Sequence, residues 1–261
     1  RVVGVHGLIR VVIAEPAVDL SVIAVEGEGA VVRADFQIIG LTHRIRQPHP
    51  AEVRYVDLLD LLRIAAASFR NVSAQPIVFH IDGFRFDLMG IHDVETMRAI
   101  RKALDAIDPS IYILGEGWTA GKAQLPDSLL AMKKNVYQMP GVAAFSDEFR
   151  DGLRGPFGDD AKGGFIVGRP HFEADVRYGI VGGISHPQLT GDSIASSVAV
   201  WANSPMQFVS YVSCHDDLCL FDRLRKTVPG ASVKELYAWQ KLAETAVLTS
   251  QGVPFIYSGD E

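Results

Sequence analysis

Three short apolar runs, Ile111–Leu114, Phe208–Ser213 and Val253–Tyr257, are separated by stretches of helical periodicity, and this alternation constrains the fold more than any other feature of the chain. Four to six consecutive apolar residues bounded by turn signals suit a strand covered on both faces, as in a parallel sheet. The stretch Asp93 to Ile107 places Val94, Met97, Ile100, Leu104 and Ile107 on one helical face, and Pro109 stops it. Ser232 and Glu235 form a capping box for a helix running to about Thr249, which Gly252 and Pro254 end. Parallel strands joined by helices leave two main architectures, an open doubly wound sheet or a closed (β/α) barrel.

Other segments fit less regularly. Residues 1–40 hold fifteen Val and Ile between Gly4, Gly7, Pro16, Gly27, Gly29 and Gly40, a composition for several short strands. Residues 51–67 read as a helix, Ile77 to Leu88 as a strand and residues 142–146 as a weaker strand. The Gly-, Asp- and His-rich stretch 155–195 shows little periodicity and reads as an extended loop region.

Composition narrows the function. The 261 residues carry 25 basic and 31 acidic side chains, a net charge of −6, which offers no electrostatic footprint for nucleic acid or anionic membrane. No stretch approaches the roughly 20 apolar residues of a spanning helix, because acids and arginines interrupt even residues 1–40. The chain begins at Arg1 without a methionine or signal-peptide pattern, as a trimmed start or a piece of something longer would. Cys214 and Cys219 lie too close together to staple a fold and read as buried, inert thiols.

Nucleotide motifs fail. Gly115-Glu-Gly-Trp-Thr-Ala-Gly-Lys has Glu116 where a phosphate loop needs its first glycine and Ala123 where it needs Ser or Thr. Gly27-x-Gly29 lacks a third glycine, and the Asn71-Val-Ser73 sequon has meaning only in a secreted chain.

Three acids, each at the C-terminal end of a different predicted strand, carry more information: Asp87, Glu116 and Asp216. Active sites of α/β barrels are assembled at that face. The period of two puts Arg85 beside Asp87 and turns Phe84 and Phe86 the other way. An arginine beside a carboxylate favours its ionised form, as a nucleophile or electrostatic stabiliser requires; a structural ion pair would have the same appearance. Glu116 lies between Gly115 and Gly117 and precedes Trp118, a flat surface on which a sugar could stack; a general acid or a plain surface turn both fit. His215 and Asp216 would point to opposite faces of a strand, which disfavours a shared metal ion, and His92-Asp93-x-Glu95 is better read as a helix N-terminus. Carboxylates with an Arg, a His and a Trp suit glycosyl transfer, in which one acid is nucleophile and another acid, then base.

From about Phe79 to Glu261 the chain resembles the catalytic domain of type I pullulanases, debranching enzymes of glycoside hydrolase family 13 in the α-amylase superfamily. The resemblance rests on Ile81-Asp-Gly-Phe-Arg-Phe-Asp-Leu-Met-Gly90, Gly115-Glu-Gly-Trp118, Gln138-Met-Pro, Ala144-Phe-Ser-Asp-Glu-Phe-Arg-Asp-Gly-Leu153, Gly179-Ile-Val-Gly-Gly183, Tyr211-Val-Ser-Cys-His-Asp216 and Leu248-Thr-Ser-Gln-Gly-Val-Pro-Phe255, in the family's order. It implies an α/β fold of the (β/α)₈ TIM-barrel type, incomplete here, with strands four to eight recognisable in residues 79–261. Residues 1–78 are then a β-rich N-terminal segment, either a shortened barrel half or an accessory domain.

The resemblance further implies retaining hydrolysis of α-1,6-glucosidic branch linkages in pullulan and related α-glucans. Asp87 would be nucleophile, Glu116 acid/base and Asp216 transition-state stabiliser, with Arg85, Trp118 and His215 binding substrate. The expected partner is an α-glucan. No organic cofactor is implied; calcium occurs in the superfamily, but no acidic cluster here has calcium-loop spacing. The family segment Asp-Val-Val-Tyr-Asn-His has no counterpart among residues 1–78, and Asp217 stands where the family usually has Asn. Two other readings remain open: a catalytically impaired glucan-binding fragment or relative, and another amylase-superfamily activity, α-1,4 hydrolysis or transglycosylation.

Overall fold

The computed structural model describes residues 19–26, 30–39, 83–119, 121–123, 125–189, 194 and 200–260, the first two stretches as backbone only. The expected helix over 51–67 and the first part of the expected strand over 77–88 lie outside the described residues. Two compact units divide the chain, Arg1–Val142 and Ala143–Glu261.

In the first unit, β1 (Asp19–Glu26) and β2 (Ala30–Ile39) pair antiparallel, with Asp19 opposite Gln37 and Glu26 opposite Ala30. β2 also runs antiparallel to β3 (Gly83–Phe86), Ile39 facing Gly83. From β3 the pattern changes to the expected strand, helix, strand: α1 (Val94–Asp105) leads to β4 (Tyr112–Gly115), which lies parallel to β3 with Arg85 opposite Leu114 and Phe86 opposite Gly115. A parallel neighbour needs such a crossover, whereas β1 and β2 need only a tight turn.

α1 forms where its pattern predicts. The Asp93 carboxylate accepts from the Thr96 amide at 2.6 Å and caps the N-terminus, which explains the acidic run there as a helix start. Val94, Met97, Ile100 and Leu104 are buried, together with the aliphatic part of Arg101, whose guanidinium donates to the Ile111 carbonyl. Both faces of β3 are buried as well, and the edge of Phe86 meets the imidazole of His92 with ring centroids 6.2 Å apart.

The second unit repeats the parallel theme. β5 (Val142–Phe145), in which one unit ends and the next begins, pairs parallel with β6 (Phe208–Ser210), and β6 pairs parallel with β7 (Val253–Pro254). Between them lie α2 (Asp147–Arg154), α3 (Glu173–Ile180), α4 (Leu220–Thr227) and α5 (Val233–Thr249). The capping box of α5 is formed: Glu235 N–H donates to the Ser232 hydroxyl at 3.3 Å, and Ser232 N–H to the Glu235 carboxylate at 2.8 Å. Phe208 is the centre of this core, stacked on Trp201 at 5.3 Å and met edge-on by Tyr178 at 5.7 Å. A Cβ on Gly183, whose φ is +70°, would lie 2.1 Å from the Phe208 ring, so both conformation and space demand glycine there.

Three expectations need correction. The stretch 155–195 is not all loop, since α3 stands in its middle. The strand expected over 208–213 stops at Ser210, and the chain then turns. The cysteines, which lie beyond that early stop, are half-buried and not in a disulfide: Cys214 Sγ is 3.6 Å from His215 Nδ1, and Cys219 Sγ donates to Asp222 at 3.5 Å.

Candidate active site

In the first unit the ends of β3 and β4 build a compact charged cluster. Arg85 is 2% exposed, and its guanidinium bridges two acids, donating through Nη1 to Asp87 and through Nη2 to Glu116 Oε1 at 2.5 Å. Glu116 is itself only 4% exposed, and its Oε2 accepts the Leu88 amide at 2.7 Å. The surface-turn reading of Gly-Glu-Gly therefore falls away: the acid is buried, and burying it requires the donors that surround it.

The backbone makes this possible. Leu88 adopts the left-handed conformation, φ 45° and ψ 44°, which turns its amide onto Glu116; a non-glycine residue in that region costs on the order of 1–3 kcal/mol. The two strand ends are also laced together, with Glu116 N–H donating to the Phe86 carbonyl at 3.1 Å and Gly90 N–H to the Glu116 carbonyl at 3.0 Å. A Cβ on Gly115 would meet Met89 at 2.7 Å, and one on Gly117 would meet Lys133 at 2.7 Å. Both glycines serve close approach of backbone. Trp118 follows, half-buried.

Behind the cluster sits a group that sequence reading assigned only to a helix start. His92 is 1% exposed, neither ring nitrogen finds a hydrogen-bond partner among the described residues, and burial pushes its pKa down to about 4. It is a neutral core histidine at ordinary pH.

The second unit carries the remaining candidates. His215 and Asp216 stand in the turn beyond β6, where strand alternation no longer separates them, and their side chains pair at 3.2 Å. Asp216 is 57% exposed. Next to it, Asp217 turns inwards: its Oδ2 accepts from Arg154 at 2.7 Å and lies 3.7 Å from Arg223, while Oδ1 accepts the Leu218 amide at 2.7 Å. Further along, the Ser213 hydroxyl donates to Asp260. Asp217, Arg154 and Arg223 were not among the expected site residues. The signal available for them was the acidic pair Asp216-Asp217 followed six positions later by Arg223.

Parallel strands with helical crossovers define an α/β protein. Comparison with known proteins gives that class a relative. No protein-family model matches the chain. It is 33% identical over 183 residues to the pullulanase of Bacillus subtilis (strain 168), covering 70% of this chain and 24% of the relative. It is 32% identical over 190 residues to pullulanase A of Streptococcus pneumoniae serotype 2, covering 70% of this chain and 14% of that protein. Among solved structures, the pullulanase of Paenibacillus barengoltzii in complex with maltohexaose and α-cyclodextrin matches with TM-score 0.63 and 42% identity, over 70% of this chain and 27% of that one. Type I pullulanase of Bacillus subtilis complexed with maltose matches with TM-score 0.66 and 30% identity, over 77% and 26%. The chain thus resembles pullulanases, which are glycosidases, over about 70% of its length, and spans about a quarter or less of these relatives.

Proposed function

We propose that this chain is a segment of a retaining glycoside hydrolase that cleaves α-1,6 branch linkages of pullulan-type α-glucans, with β3 to β7 corresponding to strands four to eight of a (β/α)₈ barrel. The observation that carries the reading is Arg85, one buried guanidinium bridging Asp87 and Glu116. Retaining enzymes hold their two carboxyls roughly 5–5.5 Å apart, and a guanidinium shared by both acids keeps this pair close together.

In this reading an Asp87 oxygen attacks the anomeric carbon while the glycosidic C–O bond breaks, and Glu116 gives the departing oxygen its proton. Water then attacks the glycosyl ester, Glu116 takes a proton from that water, and Asp87 is released with the anomeric configuration retained. Arg85 holds the Asp87 carboxylate by a direct ion pair. Glu116 accepts two hydrogen bonds in this structure, so delivering a proton requires one donor, Arg85 or the Leu88 amide, to give way as sugar enters. Asp216 is assigned to stabilising oxocarbenium-like charge, with His215 beside it; Trp118 offers a platform for a sugar ring. Two carboxylates suffice for this chemistry without an organic cofactor. Among the described residues no three His, Cys, Asp or Glu side chains group as a metal site would need, and no step passes through calcium.

The test is maltotriose release from pullulan by the chain and by its Asp87→Asn variant. Release that falls at least about 1000-fold in the variant supports the assignment. Equal activity in the two would overturn the role of Asp87, and a folded chain that releases nothing while still binding maltotriose would favour the glucan-binding reading.

A further inference from the structure

Asp217 adds a negative charge directly beside Asp216, and two adjacent carboxylates repel each other unless cations compensate them. The structure shows the charge compensated. Arg154, the last residue of α2, and Arg223, in α4, are 1% and 0% exposed, and both turn towards Asp217. Arg223 is fixed from several sides, donating to Asp160 at 2.8 Å, to the Pro156 and Asp159 carbonyls at 2.9 Å and to the Lys162 carbonyl at 3.2 Å. Arg154 has less: its Nε and Nη1 find no acceptor, which leaves the bond to Asp217 as its one carboxylate hydrogen bond among the described residues. Burial and the nearby charges of Arg150 and Arg223 push the Arg154 pKa down, and Asp217 opposes them.

We infer that Asp217 is a positioning residue: gripped by Arg154 and Arg223, it anchors the turn that presents His215 and Asp216 at the end of β6. Asparagine there would keep the shape and lose the charge. A neutral amide cannot balance a buried guanidinium, so the turn would loosen and Arg154 would lose the one carboxylate it is hydrogen-bonded to among the described residues. The consequence for catalysis rests on the function proposed above; the ordering of the turn does not.

The experiment compares the chain with Asp217→Asn and with Asp217→Asn/Arg154→Met, by amide hydrogen exchange and by pullulan hydrolysis. In Asp217→Asn, exchange over residues 214–218 rises about tenfold or more while α5 keeps its protection, and kcat falls about tenfold with KM within about twofold. Adding Arg154→Met removes the orphaned charge, so stability to urea recovers while kcat does not. Unchanged exchange over 214–218, or an equal rise throughout the second unit, would overturn the inference. A wild-type chain without turnover counts against the proposed function alone, because exchange still decides the role of Asp217.

Discussion

At the end of β3 the cation is buried and draws two carboxylates onto itself, one of them almost as buried. In the turn after β6 the acid that faces outwards is Asp216, while the buried cations hold its neighbour Asp217. The difference follows from the cost of dehydration. Arg85, Arg154 and Arg223 each need an anion once water is removed, and the nearest carboxylate is recruited whatever else it does. In the first unit the recruited acids, Asp87 and Glu116, are also the candidates for chemistry. In the second, recruitment and chemistry are divided between adjacent residues, and Asp216 stays open to solvent.

This contrast can be broken at several points. The largest effect is expected at Glu116: Glu116→Gln keeps the acceptor for Arg85 but removes the proton carrier, and pullulan hydrolysis should fall roughly 10²–10⁴-fold. Comparable rates in mutant and wild type would reduce the cluster to a structural ion pair. Arg85→Met leaves the buried Glu116 and the half-buried Asp87 without their cation, and urea unfolding should show a loss of about 3–5 kcal/mol.

Acid should weaken the first unit through His92. Its pKa is about 4 when folded and 6.5 when unfolded, so as pH falls below 6.5 the unfolded chain takes up a proton that the folded chain refuses. Stability is present above pH 6.5 and declines towards pH 4, by about 3 kcal/mol for this one group. Unfolding free energies at pH 7 and pH 5 for wild type and His92→Leu should show the slope in the former and its reduction in the latter. The smallest effect belongs to the solvent-exposed cap of α5, where Ser232→Ala should cost about 1 kcal/mol in urea unfolding and leave the turn after β6 untouched.

Helices with strong local signals were legible in the sequence. Asp93 and the Ser232–Glu235 pair cap α1 and α5, and in α1 the apolar spacing matches the buried face. The shorter helices were not. α2 buries Glu148 and Arg154, α3 buries Asp175 and α4 buries Arg223, so the faces that turn inwards carry charge and the apolar period disappears. What makes such burial tolerable is distant in sequence: the Trp201 indole donates to Glu148 at 3.1 Å, and Asp217 reaches Arg154. In α2 the acidic first turn, Asp147 and Glu148, was a start signal available to local reading.

The sequence by itself determined which residue types stand at the strand ends, the parallel strand–helix rhythm, and the pairing of Arg85 with Asp87, because these follow from periods of 2 and 3.6 along a local stretch. Only the tertiary structure decided that Arg85 also binds Glu116, 31 positions away, that Leu88 twists its amide towards the same acid, and that Asp217 rather than Asp216 neutralises the buried arginines. Periodicity assigns a side chain to a face, whereas the partner a buried charge takes depends on which segments packing has deprived of water.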